Sequence, residues 1–393
     1  MNSHSARDPL GLLDRPMDDV VADDRDEMHD ATTVTSRRWR RTVEWTATSA
    51  PVALLLTIGI GLGPHGINLL TAASLSSLDP VVPVALAALG VLVGLGMGDR
   101  RFGEGRVLAA GVMEGALTLS VVSSGIALLT LAATWLAVPQ LSAVALVMGI
   151  CAATSLTLPT SNPLEPRPTA IRVKELGVLL PIAAGGLLLA WLRVGSGLGA
   201  LALVAQTAGI TLALAMAGWL LLTRTTSETD ERVFAISALL LIGGVAHALG
   251  LSALFGGLVA GVFWRYTGGR PRETVRRDVL FVQHPLLVVV LLVAGARAEL
   301  APASLALGAA YVVLRVLGKL AGGAAARSVL GRKAPRDLGL HLLPPGVFGV
   351  AFALNAAAVL SGAQTPVLVT AVVVGTIASE LVAVLLPPRS AEA

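Results

Sequence analysis

Apolar runs near the length of a bilayer recur along almost the whole chain, and the connections between them are short. Twelve are counted, at approximately 43–62, 80–97, 107–130, 142–159, 175–192, 199–222, 233–248, 251–264, 279–296, 302–322, 338–361 and 366–386. Each is near the roughly 20 residues an α-helix needs to cross the hydrocarbon. Hydrocarbon offers a backbone no hydrogen-bond partners, so the expected fold is an all-α polytopic membrane protein of about 12 transmembrane helices. The composition agrees: 14% of residues are charged, against about 25% in a soluble domain, and the mean hydropathy is +0.77. The pair 233–264 can also be read as one long or re-entrant element.

Charge placement orients these spans. With the N-terminus inside, the inner loops hold Arg100, Arg101 and Arg106, then Arg167, Arg172 and Lys174, then Arg224 and Arg232. Arg265, Arg270, Arg272, Arg276 and Arg277 follow, and then Arg327, Arg332, Lys333 and Arg336. The outer connections hold only Arg193 and Arg297. This is the positive-inside pattern, and it places both termini in the cytoplasm of a cell whose cytoplasmic membrane holds the protein. A net charge of +4 spread over short loops does not point to nucleic acid. Residues 1–41 form an acidic and then basic tail, rich in Asp and Glu up to Asp30 and ending in Arg37, Arg38, Arg40 and Arg41. Its acidic part has too few apolar residues to fold alone and is expected to be disordered. Residues 1–40 hold no apolar core suited to a cleavable signal. A single cysteine, Cys151, excludes an intrachain disulfide and a cysteine-based metal site. No nucleotide-binding loop, metal-ligand spacing or nucleophile elbow is present, so neither enzyme chemistry nor a cofactor is expected.

Two spans are interrupted. Ala143–Pro163 begins as an apolar run, turns polar at Thr154, Ser155 and Thr157, and meets Pro159 and Pro163. Proline lacks an N–H and its ring clashes with a preceding carbonyl, so the helix breaks there or ends in a loop. Residues 338–361 carry Pro344, Pro345, Gly346 and Gly349. Taken as spans one to five and eight to twelve, the chain forms two groups of five with opposite orientation. The interrupted segments are the fourth member of each. Two inverted five-helix repeats with crossing broken helices are therefore expected, with the breaks marking a transport site.

Ionisable groups inside spans are costly and mark functional candidates. Glu114 lies in the third span, roughly 10 Å from its inner end at 1.5 Å per residue. It reads either as a proton-exchanging acid or as a structural partner of a basic residue. Glu380 in the last span reads the same way. Glu175 is expected at a helix start, where an acid complements the dipole. Arg315 and Lys319 lie one turn apart on one helix face, with Lys319 able to snorkel to the inner surface. Glu114 or the ends of the broken helices are the partners available to Arg315. Thr154, Ser155 and Asn355 offer neutral oxygens to a cation, although Asn355 also suits an interhelical hydrogen bond. His247 and His284 lie near span ends and read as structural or as pH sensors. Gly257 with Gly261, and Gly318 with Gly322, have the Gly-x-x-x-Gly spacing of close helix packing.

Four stretches resemble the cation:proton antiporter superfamily, the sodium/hydrogen exchanger domain of bacteria. They are Gly59–Ile67 (GIGLGPHGI), Cys151–Ser155 (CAATS), Gly250–Gly261 (GLSALFGGLVAG) and Arg315–Gly322 (RVLGKLAG). The first resembles a Gly-Pro-x-Gly helix end and the second the Ala-Thr-Ser break of the first crossing helix. The third resembles a Gly-Leu-Ser helix and the fourth the Arg-x-x-Gly-Lys segment of the antiporter core. The resemblance implies an exchanger-like membrane domain at 42–388, exchange of a monovalent cation, Na⁺ or K⁺, for protons, and a homodimer. It implies ion or proton binding by Glu114, with Arg315 or Lys319 as counter-charge. One position departs. Such antiporters carry Asn-Asp or Asp-Asp in the span after the first break, whereas Leu179–Leu188 holds Pro181, Gly185 and Gly186 and no acid. Two alternatives follow: an inactive antiporter-like scaffold or sensor, and a carrier of an anionic solute.

Overall fold

The structure, a computed structural model, describes residues 52–96, 104–132, 141–155, 169–225, 227–331, 334–360 and 364–386. The tail at 1–41, the prolines at 159 and 163, and the loop residues Arg100, Arg101, Arg167, Arg332 and Lys333 lie outside the described residues. All regular structure among the described residues is helical. The helices are α1 (Val52–Leu62), α2 (Ala72–Ser77), α3 (Val81–Gly96), α4 (Glu104–Ala132) and α5 (Leu141–Ala153). Then come α6 (Thr169–Gly177), α7 (Leu179–Val194), α8 (Gly197–Arg224), α9 (Glu228–Leu249) and α10 (Ala253–Thr267). The chain continues through α11 (Gly269–Ala296), α12 (Pro302–Leu330), α13 (Leu338–His341), α14 (Val347–Val359) and α15 (Gln364–Leu385).

Every expected span corresponds to a helix or to an α6–α7 or α13–α14 pair. Seven segments are long and apolar enough to cross a membrane by length and composition. The pair 233–264 is two helices, not one. Gly250 caps α9 in the left-handed region at φ 60, and Ser252 opens α10 by accepting the Phe255 N–H at 3.3 Å. That turn combines a glycine stop with a serine start. The fifth span starts earlier than expected, at Thr169.

The inverted groups pack reciprocally. In one interface the first helix of the first group, α1, lies on the second helix of the other group, α11. Gly59 meets the Leu292 carbonyl and Gly295, and Gly63 meets Ala296. In the other interface the first helix of the second group, α10, lies on the second helix of the first group, α3. Gly257 seats on Ala87 and Gly261 on Val91 and Gly94. Gly318 and Gly322 of α12 seat on Thr118 and Glu114 of α4. Glycines let these backbones approach within side-chain distance, which is how helices associate where the solvent is itself apolar.

Candidate functional site

The second expected interruption is present; of the first, the early end of α5 is seen, and residues 156–168 lie outside the described residues. Helix α5 stops at Ala153, ahead of Pro159, and Thr154 Oγ1 donates to the Cys151 carbonyl at 2.7 Å. A side chain that bonds its own helix backbone in this way competes with the ladder and favours a stop. Helices α13 and α14 are parted by Leu342–Gly346, which contains Pro344 and Pro345. The broken elements cross at Gly349, where a Cβ would lie 2.8 Å from the Cys151 carbonyl oxygen and 3.0 Å from Thr154 Oγ1.

A helix that ends inside the protein leaves carbonyls without partners. Arg315 and Lys319, both fully buried, reach them from α12. One Arg315 Nη donates to the Ala152 carbonyl and, at 3.1 Å, to that of Thr154; the other reaches the Leu343 carbonyl at 3.4 Å. One guanidinium therefore holds the C-terminal ends of both broken elements, using the fork geometry a lysine lacks. Lys319 Nζ takes the remaining carbonyl, Ala153, at 2.8 Å and the Glu114 carboxylate at 2.8 Å. Glu114 Oε1 also accepts from Thr118 Oγ1, one turn along α4, at 3.0 Å. Arg315 and Lys319 thus share this crossing with the Glu114 carboxylate, and partial negative charge at the helix C-termini adds to the balance.

The structure brings Glu114, Thr154, Arg315 and Lys319 together at the crossing. Ser155 is buried beside Thr154. Arg315 takes the helix ends and Lys319 takes Glu114, so Lys319 does not snorkel. Asn355 stands apart from this group of contacts: its Nδ2 donates to Ser252 Oγ at 2.9 Å, the interhelical bond that was one of its two expected roles. Glu380 also has a separate partner, accepting the Ala53 N–H in the first turn of α1 at 2.7 Å. Glu175 departs from expectation. It lies in the last turn of α6 and not at a helix start, because the helix begins six residues earlier. His247 and His284 are exposed on the outside of the helices.

Aromatic rings occupy the place of the absent acid. A Cβ on Gly185 would overlap the Phe352 ring, and one on Gly186 would stand 3.0 Å from Phe255 Cβ. Beyond them, toward the end of the bundle that bears Arg193, lies a narrow cleft, lined in part by Gly186, Thr207, Ser252, Phe255 and Val359. Arg193 borders it and donates to the Leu249 carbonyl at 2.5 Å and to that of Gly250. Sequence reasoning missed Thr118, although its i+4 spacing from Glu114 was visible. It also missed Ser252 and Phe352, whose roles depend on packing between distant helices.

No family profile and no curated protein matches this sequence. The fold is similar to that of the sodium/proton antiporter MjNhaP1 from Methanocaldococcus jannaschii at pH 8, with a TM-score of 0.57 at 16% identity. The likeness covers 92% of this chain and 96% of that one. The described residues are those of a multi-pass, all-helical membrane protein, and they share their fold with that solved structure.

Proposed function

We propose that this protein is a secondary antiporter exchanging a monovalent cation, Na⁺ or K⁺, for protons across the cytoplasmic membrane, with both termini cytoplasmic and the chain acting as a homodimer. The observation that carries this reading is the buried Glu114–Lys319 pair, 2.8 Å apart at the end of a broken helix. A cation that takes the Glu114 oxygen meets an ammonium already there. If Lys319 gives up one proton as the cation arrives, the buried charge is unchanged, and that is the least costly exchange in a low-dielectric site. Arg315 stays charged throughout and holds the helix ends in place. Thr118 steadies the carboxylate, and the Thr154 and Ser155 hydroxyls are nearby neutral ligands.

The Phe352 ring over Gly185 favours a second reading, a relative that no longer transports. The excess of cations at the crossing favours a carrier of an anionic solute. The test is flux in reconstituted vesicles holding a pH dye. Addition of Na⁺, K⁺ or Li⁺ is expected to drive proton movement, and Glu114→Gln is expected to abolish it. Silence with every cation would reject the antiporter reading, and an anion-uptake screen would then divide the other two.

A further inference from the structure

We propose that Phe352 is the gate on the Arg193 side: its ring, seated on Gly185, closes the passage between the cleft and the Glu114–Lys319 crossing. The inference rests on the antiporter reading for the route of the ion, but its test does not depend on flux. Gly349, Phe352, Asn355 and Val359 follow one another at helical spacing along one side of α14. Gly349 rests on Cys151 and Thr154 at the crossing, and Val359 lines the cleft. Phe352 is the bulky side chain between them, and it is 1% exposed. The cleft reaches Gly186 but not Gly185, its neighbour under the ring. Ring and glycine are matched, because any side chain at position 185 would occupy the ring's volume. Opening from this side requires the ring to leave Gly185, by rotation of its side chain or by movement of α14 away from α7.

The only cysteine of the chain reports on this gate. Cys151 is buried on the crossing side of the ring, with its carbonyl against Gly349. The measurement is its rate of modification by a membrane-impermeant methanethiosulfonate applied to each face of the membrane. Val204→Cys in a Cys151→Ala background lines the cleft and identifies the face on which it opens. From that face, Phe352→Ala is expected to accelerate Cys151 modification about tenfold or more, because truncation leaves the ring's volume open between the cleft and the crossing. Phe352→Trp is expected to keep the wild-type rate, and modification from the opposite face is expected not to change. Phe352→Leu, a milder truncation, is expected to fall between wild type and alanine and serves if the alanine variant does not fold. A wild-type rate in both truncated variants, with Val204→Cys reactive from the same face, overturns the gate. Absent flux together with accelerated modification overturns the antiporter reading alone.

Discussion

A lysine with no exposed surface survives folding only if its charge is met from all sides, and Lys319 is met by Glu114 and by the Ala153 carbonyl. Removing one partner of such a pair costs more than removing both, because the other charge stays buried and unpaired. Lys319→Ala is expected to destabilise the protein by about 3–5 kcal/mol, read as a fall in thermal midpoint in detergent. Adding Glu114→Gln to that variant is expected to restore part of the loss. A double variant that melts lower than Lys319→Ala would show that the two residues do not act as a pair. These residues were legible in the sequence because an ionisable group in an apolar span stands out. Their partners were not. The acceptors for Arg315 are backbone carbonyls at Ala152, Thr154 and Leu343, and a carbonyl has no residue identity to read. Phe352 was invisible for a related reason, since it is one more apolar side chain until Gly185 is placed beneath it.

Glycine separates the elements into those held by close contact and those that face outward. On α10, a Cβ at Gly257 would collide with the backbone of Ala87, and helix backbones cannot yield as a flexible side chain can. Gly257→Ala is therefore expected to destabilise by about 1–3 kcal/mol as α3 and α10 are forced apart. On α8, Gly209 is exposed and has nothing within 4 Å of its added Cβ. There the same substitution is expected to stabilise by about 0.5–1 kcal/mol through helix propensity. Thermal melts of the two variants side by side check the contrast; equal shifts would mean that the α3–α10 contact is looser than its geometry. The Gly-x-x-x-Gly spacings of α10 and α12 made these contacts legible. That α5 ends near a polar stretch was also legible, but the position of its end was not. Pro159 drew the expected break or end to itself, whereas Thr154 bonds back to Cys151 and the helix stops at Ala153. Glu175 misled in the same way, because the polar residues before it looked like a loop and are a helical turn.

For the whole molecule, the parity of the crossings decides where the termini stand and whether the two groups of five are inverted. Everything turns on 233–264, where one long crossing element would make the count odd and place the groups in parallel. Gly250 and Ser252 end one helix and begin another, and the reciprocal packing of α1 on α11 and α10 on α3 requires those helices to be separate. The Arg193 guanidinium fixes the turn by bonding the carbonyls of Leu249 and Gly250. Helix α10 has only 15 residues, about 22 Å at 1.5 Å per residue, which is short for a bilayer core of about 30 Å. It is held in place by its face rather than its ends: Gly257 and Gly261 seat on α3, and Trp264 Nε1 donates to the Ala215 carbonyl of α8 at 3.0 Å. Single cysteines at Leu249, exposed at the end of α9 just before α10, and at Tyr266, exposed near the far end of α10, test whether α10 crosses in a Cys151→Ala background. Membrane-impermeant maleimide is expected to label Leu249→Cys from the outside only and Tyr266→Cys from the cytoplasm only, where the arginines at 265, 270, 272, 276 and 277 are expected. Labelling of both from one face would make α10 re-entrant. The crossings would then be odd in number, and the inverted arrangement that brings the two broken helices to Arg315 would need a different partner for α10.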